Sequence, residues 1–240
     1  MVALNRKHPA AADRSATPSV AVPAPTDDSA GGQPAADTPS ARLLGYSNSG
    51  PRTARRVALT FDDGPGALTG QLLDVLGAAG ARATFNVLGG RVSGREELLR
   101  RTLREGHEIG NHGVDHECLA GRPLAAHRQI RRTNAAVVDA VGCRPRIFRA
   151  PYGAVSPAVI ATARLSRMRT LGWNVDPRDY ETPGEDAIYE RVVGGVGPGS
   201  IVLLHDDRRA LEQTIFAVER ILVTLRERGY RFVTVSELLG

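Results

Sequence analysis

Asp62 and Asp63 stand side by side at the end of an apolar run, Val57-Ala58-Leu59-Thr60-Phe61, and Gly64-Pro65 follows at once. Paired carboxylates there add nothing to a core. They can, however, put one carboxylate on a metal and the other on a water. Further along, His112-Gly113-Val114-Asp115-His116 offers two imidazoles four residues apart, so both rings can face one ion if the chain turns after a strand. One Asp with two His suits zinc or a similar divalent ion with open positions. Asp63, His112 and His116 are therefore the expected ligands, and the two motifs together point to a metal hydrolase. Asp62 is directed away from Asp63 by strand alternation, and the Gly64-Pro65 turn must relax that geometry. Close to the ion but not bound to it, Asp62 is the candidate base for a metal-activated water.

Three other segments carry groups able to assist. Arg149-Ala150-Pro151-Tyr152-Gly153 breaks a strand and exposes a guanidinium, which can orient and acidify a carboxylate, and a Tyr152 N–H, which can donate to an oxyanion. Ser200-Ile201-Val202-Leu203-Leu204-His205 is a buried-strand run ending in an imidazole that can protonate a leaving group. After Trp173, the sole tryptophan, come Asp176 and Asp179-Tyr180; an Asp of this loop can hold the His205 ring and raise its pKa.

The elements that position these groups are short apolar runs alternating with helical patterns. Strands are predicted at 56–62, 83–89, 107–112, 146–150, 168–174, 200–206 and 231–235. One helical stripe is Leu68, Leu72, Val75, Leu76 and Ala79; another is Leu211, Ile215, Val218, Leu222 and Leu225. Glu96 and Glu97 suit a helix's first turn, and Gly80, Gly106 and Gly229 its C-terminal caps. Strands separated by helices imply parallel βα units. Polar residues at the C-terminal ends of five strands converge on the mouth of a (β/α) barrel rather than on the switch point of an open sheet. The expected fold is α/β, a distorted barrel of about seven parallel strands.

Residues 1–50, rich in Ala, Pro, Ser, Thr, Gly and Asp, bury too little to offset their ordering entropy and are expected to form a disordered tail. Residues 51–240, roughly 190 of them, suffice for one catalytic domain. The net charge is +5, and Lys7 is the only lysine, so the domain's positive charge is all arginine. Such a surface favours acidic wall polymers or nucleic acid, but the scattered arginines lack interleaved aromatics and argue against nucleic acid. No run spans a membrane. Arg6-Lys7 is not followed by the apolar stretch of a signal peptide. A cytoplasmic protein is one outcome, and a secreted or wall-associated one whose signal was removed is the other. Cys118 and Cys143 are too few for a disulfide framework and read as free or buried thiols. A monomer is expected.

Together these segments resemble carbohydrate esterase family four, the polysaccharide deacetylases with a NodB homology domain, over roughly Arg56 to Leu239. The motifs are Thr60-Phe61-Asp62-Asp63-Gly64-Pro65, His112 with His116, Arg149 with Pro151-Tyr152, the Trp173–Tyr180 loop, and Leu203 with His205. The resemblance implies metal-dependent removal of acetyl groups from glycans, with N-acetylglucosamine polymers of peptidoglycan or chitin type leading. It makes Asp62 the base, His205 the acid, and Asp63, His112 and His116 the ligands of one divalent ion, zinc or else cobalt. Arg149 pairs with Asp62 and Asp179 tunes His205. Tyr152 N–H holds the oxyanion beside the metal, and Leu203 with Trp173 or Tyr180 encloses the acetyl methyl. An O-acetyl xylan esterase is the nearest alternative; a carbohydrate-binding pseudoenzyme is another, disfavoured because every catalytic position is filled. The chain departs from the family pattern at Gly113 (usually Ser or Thr), Glu117 (commonly Pro) and Tyr180 (frequently Trp).

Overall fold

The computed structural model describes residues 45–207 and 212–240. Eight strands form one sheet: β1 (Tyr46–Ser47), β2 (Arg56–Asp62), β3 (Thr84–Val87), β4 (Glu108–Asn111), β5 (Ile147–Phe148), β6 (Arg169–Leu171), β7 (Ser200–His205) and β8 (Arg231–Phe232). The order is β1-β6-β5-β4-β3-β2-β7, all parallel, with β8 beside β2. β7 accompanies Val57–Asp62 along one edge of β2. On the other edge, β3 meets only Thr60–Asp62 and β8 only Arg56–Val57. β8 thus fills the gap where β2 and β3 diverge. Two isolated bridges, Ser49 to Ser200 and Val175 to Val202, tie β7 to the chain just past β1 and β6. The barrel is therefore distorted: its closure rests on single bridges, and β4 and β5 share only the Asn111–Phe148 pair.

The helices are α1 (Thr69–Ala78), α2 (Glu96–Arg104), α3 (Pro123–Val141), α4 (Pro157–Leu165), α5 (Glu185–Gly195), α6 (Glu212–Glu227) and α7 (Val235–Leu239). Strand alternation sends Val57, Leu59, Phe61, Phe85, Val87, Ile109, Val202 and Leu204 outward. There they share a core with Leu72, Leu73 and Leu76 of α1, Val137 of α3, Ile188 of α5 and Ile215, Val218 and Leu222 of α6. Inward, Ala58, Ile147, Leu171 and Ile201 form an apolar layer, closed by Val235 and Leu238 of α7. Above it the inward residues turn polar: Thr60 and Thr84, then Asp62 and Asn86. Apolar floor and polar mouth follow from the same period of two.

Every predicted strand is present, each shortened at one or both ends except 56–62. The predicted 231–235 stops at Phe232 because Thr234 caps a helix: its hydroxyl accepts from Glu237 N–H and Glu237 returns the bond. The expected tail boundary at residue 50 is corrected. Tyr46 is buried and pairs with Thr170, and Gly50 N–H donates to Gly199 O at 2.7 Å. A two-residue strand between glycines and serines carries no period, so composition alone assigned it to the tail. The expectation for residues 1–44, and Leu211 of the second stripe, lie outside the described residues. Cys118 and Cys143 are free and exposed. Among the described residues no helix is long and apolar enough to cross a membrane.

Candidate active site

The strand ends bring the predicted residues together. Asp62 is the register partner of Asn86 on β3 and of His205 on β7. Asp63 joins the same face because its φ of 73° abandons the strand alternation. The turn after it is packed against β7: Gly64 lies so close to the buried Asp206 that a Cβ would sit 2.5 Å from its carboxylate. Asp206 also accepts from Thr69, whose hydroxyl takes the Gly66 N–H.

Asp63 Oδ1 lies 3.5 Å from His112 Nε2 and 3.5 Å from His116 Nε2. Donors on arms of about 2.1 Å around one tetrahedral ion sit about 3.4 Å apart, so the three fit a divalent cation. Two further observations agree. Asp63 Oδ1 is buried without a hydrogen-bond partner. His112 Nδ1 lies 2.8 Å from the Arg149 carbonyl, which accepts its N–H and turns the Nε2 lone pair toward Asp63. Burial lowers the pKa of both His112 and His116, keeping the rings neutral, as ligands must be. Burial, with the Asp62 charge adding to it, raises that of Asp63.

The loop from His112 to His116 makes no helical turn. Gly113 (φ 82°) and His116 (φ 61°) swing it instead. Gly113 N–H donates to Asn111 Oδ1 at 2.8 Å, and Thr133 of α3 donates to Gly113 O at 2.6 Å. Gln129 of α3 accepts from Val114 N–H and donates to Asp115 and Glu117.

Beside this cluster Asp62 Oδ1 accepts from Arg149 at 2.8 Å and from Asn86 at 2.7 Å. Burial by itself would raise its pKa. The Arg149 guanidinium, His112, His205 and the Asn86 bond outweigh that, and hold it below the ordinary carboxylate value. Arg149 is itself fully buried and spans the barrel interior, donating also to Thr60 Oγ1 and Gly172 O and lying 5.5 Å from the Trp173 ring centroid. Gly110, opposite Asn86, has no room for a Cβ, which would fall 2.1 Å from the amide oxygen.

His205 shows the opposite adjustment. Burial would lower its pKa, but Asp179 Oδ1, 2.7 Å from Nδ1, pushes it up to about 9. Asp179 is fully buried and also accepts from His205 N–H and from Thr214 of α6. Of the two acids that could hold the ring, Asp179 does so; Asp176 accepts from Arg178 N–H instead.

The remaining predicted residues ring the cluster. Tyr152 is exposed at the lip, with φ 60° and its ring edge-on to His116 at 4.4 Å. The Tyr180 ring stands edge-on to His205 at 5.5 Å. Trp173 backs onto Gly153, where a Cβ would meet the indole at 2.6 Å. Leu203 is buried and faces inward, two residues below His205. Sequence reasoning missed Thr60, Asn86, Gln129 and Thr214. The first two left a signal, as polar residues at inward positions of apolar strands.

Residues 49–171 match the family model described as polysaccharide deacetylase. A peptidoglycan-N-acetylglucosamine deacetylase of Bacillus cereus is 39% identical over 198 residues, covering 79% of this chain and 90% of the relative. A chitooligosaccharide deacetylase of Sinorhizobium fredii is 39% identical over 206 residues, covering 79% and 95%. Among solved structures, the Bc1960 peptidoglycan N-acetylglucosamine deacetylase superposes with a TM-score of 0.79 at 32% identity, covering 82% of this chain and 94% of that one. Fold, site and these likenesses agree, and the chain belongs to the polysaccharide deacetylase family.

Proposed function

We propose that this enzyme hydrolyses the N-acetyl amide of N-acetylglucosamine units in wall-type glycans, peptidoglycan or chitin oligomers. The acetamide C–N bond breaks, acetate leaves, and the glycan keeps a free amine. The observation that carries the reading is the pair of oppositely partnered groups flanking Asp63, His112 and His116: Asp62 bonded to the Arg149 guanidinium and Asn86, and His205 bonded to the Asp179 carboxylate. The named activities of the relatives supply the substrate class.

Asp63, His112 and His116 would hold one divalent ion, zinc in the first instance. When bound, that ion supplies Lewis acidity and lowers the pKa of a coordinated water. Asp62 takes the proton of the attacking water, positioned for it by Arg149 and Asn86. His205 gives its proton to the departing nitrogen, and Asp179 stabilises the charged ring beforehand. The Tyr152 N–H at the lip serves the oxyanion. Leu203, Trp173 and Tyr180 enclose the methyl group. The catalytic unit is residues 45–240, working as a monomer at the cell wall.

Acetate release from chitin oligomers, peptidoglycan and acetylated xylan, each with and without a chelator, tests the reading. Metal-dependent release from the first two supports it. Release from xylan alone would assign an O-acetyl esterase, and none from any would assign a binding role.

A further inference from the structure

We infer that Gln129 of α3 is a positioning residue for the metal site, and that its amide sets metal affinity by holding the loop that carries His116. This rests on the ligand set proposed above. The loop stands at two departures from the family pattern, Gly113 and Glu117. Gly113 provides no side chain to brace the turn, and Glu117 puts an acid next to His116, two residues after Asp115. Without a helix to fix their spacing, His112 and His116 depend on loop conformation, and two loop residues occupy left-handed φ.

One buried side chain meets all these demands. Gln129 is 8% exposed. Its Oε1 accepts the Val114 N–H. Its Nε2 donates to Asp115 Oδ1 at 2.6 Å and Glu117 Oε2 at 3.0 Å, using both of its hydrogens. The amide therefore grips the loop on both sides of His116. Arg122 pairs with the other Glu117 oxygen, and Thr133, one helical turn along, donates to Gly113 O. No other side-chain type of this length offers one acceptor and two donors. Glutamate would set a third carboxylate against Asp115 and Glu117 and keep only the Val114 bond. Alanine would leave the Val114 N–H without its acceptor and Asp115 and Glu117 without the amide donor, and the loop free to move His116 off Asp63.

Metal-stripped wild type, Gln129→Ala, Gln129→Glu and Thr133→Val are titrated with Zn2+ against a chromophoric chelator, with thermal melts of each metal-free protein. The expected result is a loss of Zn2+ affinity of about tenfold or more in both Gln129 variants, larger for Glu than for Ala and smaller in Thr133→Val. Turnover at saturating Zn2+ should recover to within about threefold of wild type. Zn2+ affinity within twofold of wild type in Gln129→Ala would overturn the inference, even if its melting temperature falls, since the amide would then serve only the fold. Should Gln129→Glu not fold, Gln129→Ala decides, and should both fail, Gln129→Met, which keeps the length without the amide, is read by the same twofold criterion. Wild type that binds no divalent ion would instead overturn the ligand set.

Discussion

Asp62 and Asp63 are chemically identical neighbours to which the proposed mechanism gives different duties, and the difference comes from what each touches. Asp62 has two strong donors on one oxygen; Asp63 has a buried oxygen with none. Asp62→Asn should therefore keep Zn2+ and lose turnover by about 10²- to 10⁴-fold, whereas Asp63→Ala should lose the metal as well. Metal content with single-turnover rates checks this, and equal metal loss in both variants would reverse the assignment. The pH profile follows from the same contacts. Activity falls as pH drops through the lowered pKa of Asp62, because the base takes up a proton, and falls again as pH rises through about 9, because His205 loses one. Asp179→Asn removes the charge that raises His205 and leaves the burial that lowers it. The alkaline limb of kcat/KM should move down by more than about one pH unit; an unmoved limb would separate Asp179 from the acid.

At the scale of elements, the loop carrying His112 and His116 is braced by α3 as well as turned by its own residues. Gly113 at φ 82° has Gln129 Oε1 3.2 Å from where a Cβ would stand. Restoring the usual hydroxyl with Gly113→Ser should therefore destabilise the protein by about 1–2 kcal/mol and weaken the metal, not tighten it. Thermal melts with a Zn2+ titration decide; a raised melting temperature would show that the loop adapts. Here the limits of the sequence are plain. The strands and their terminal charged residues were legible, because a period of two and a following Gly or Pro are local signals. Gln129, Thr133 and Thr214 were not, because each sits on a helix remote in sequence from its partner, and only packing brings them together. β1 was illegible for a different reason: two residues are too few to show a pattern.

For the whole molecule, closure of the barrel depends on the segment that composition assigned to the tail. Tyr46 is buried against β6, and Ser49 and Gly50 reach β7. Removing residues 1–44 should leave turnover on a small soluble oligomer within about twofold, under roughly 0.5 kcal/mol of barrier. Removing 1–50 also takes away the buried Tyr46 ring, which by itself costs about 3–5 kcal/mol, and should lower the melting temperature sharply. A comparison of the two truncations by melting and acetate release tests this. Equal stability would mean that β1 is an ornament of the sheet edge.

The Asp62–His205 register pair has a consequence for anything that binds there. The proposed acid and base sit on adjacent strands, so the peptide ladder between β2 and β7 sets the spacing of their backbones at about 4.8 Å. Side-chain changes elsewhere cannot widen it, and a slip by one residue would turn one partner out of the mouth altogether. The gap works as a fixed gauge. Across that gap an inhibitor would meet a carboxylate held by Arg149 and Asn86 and an imidazole held by Asp179. The backbone gauge is common to any glycan that enters, so preference among glycans falls to the loops around it.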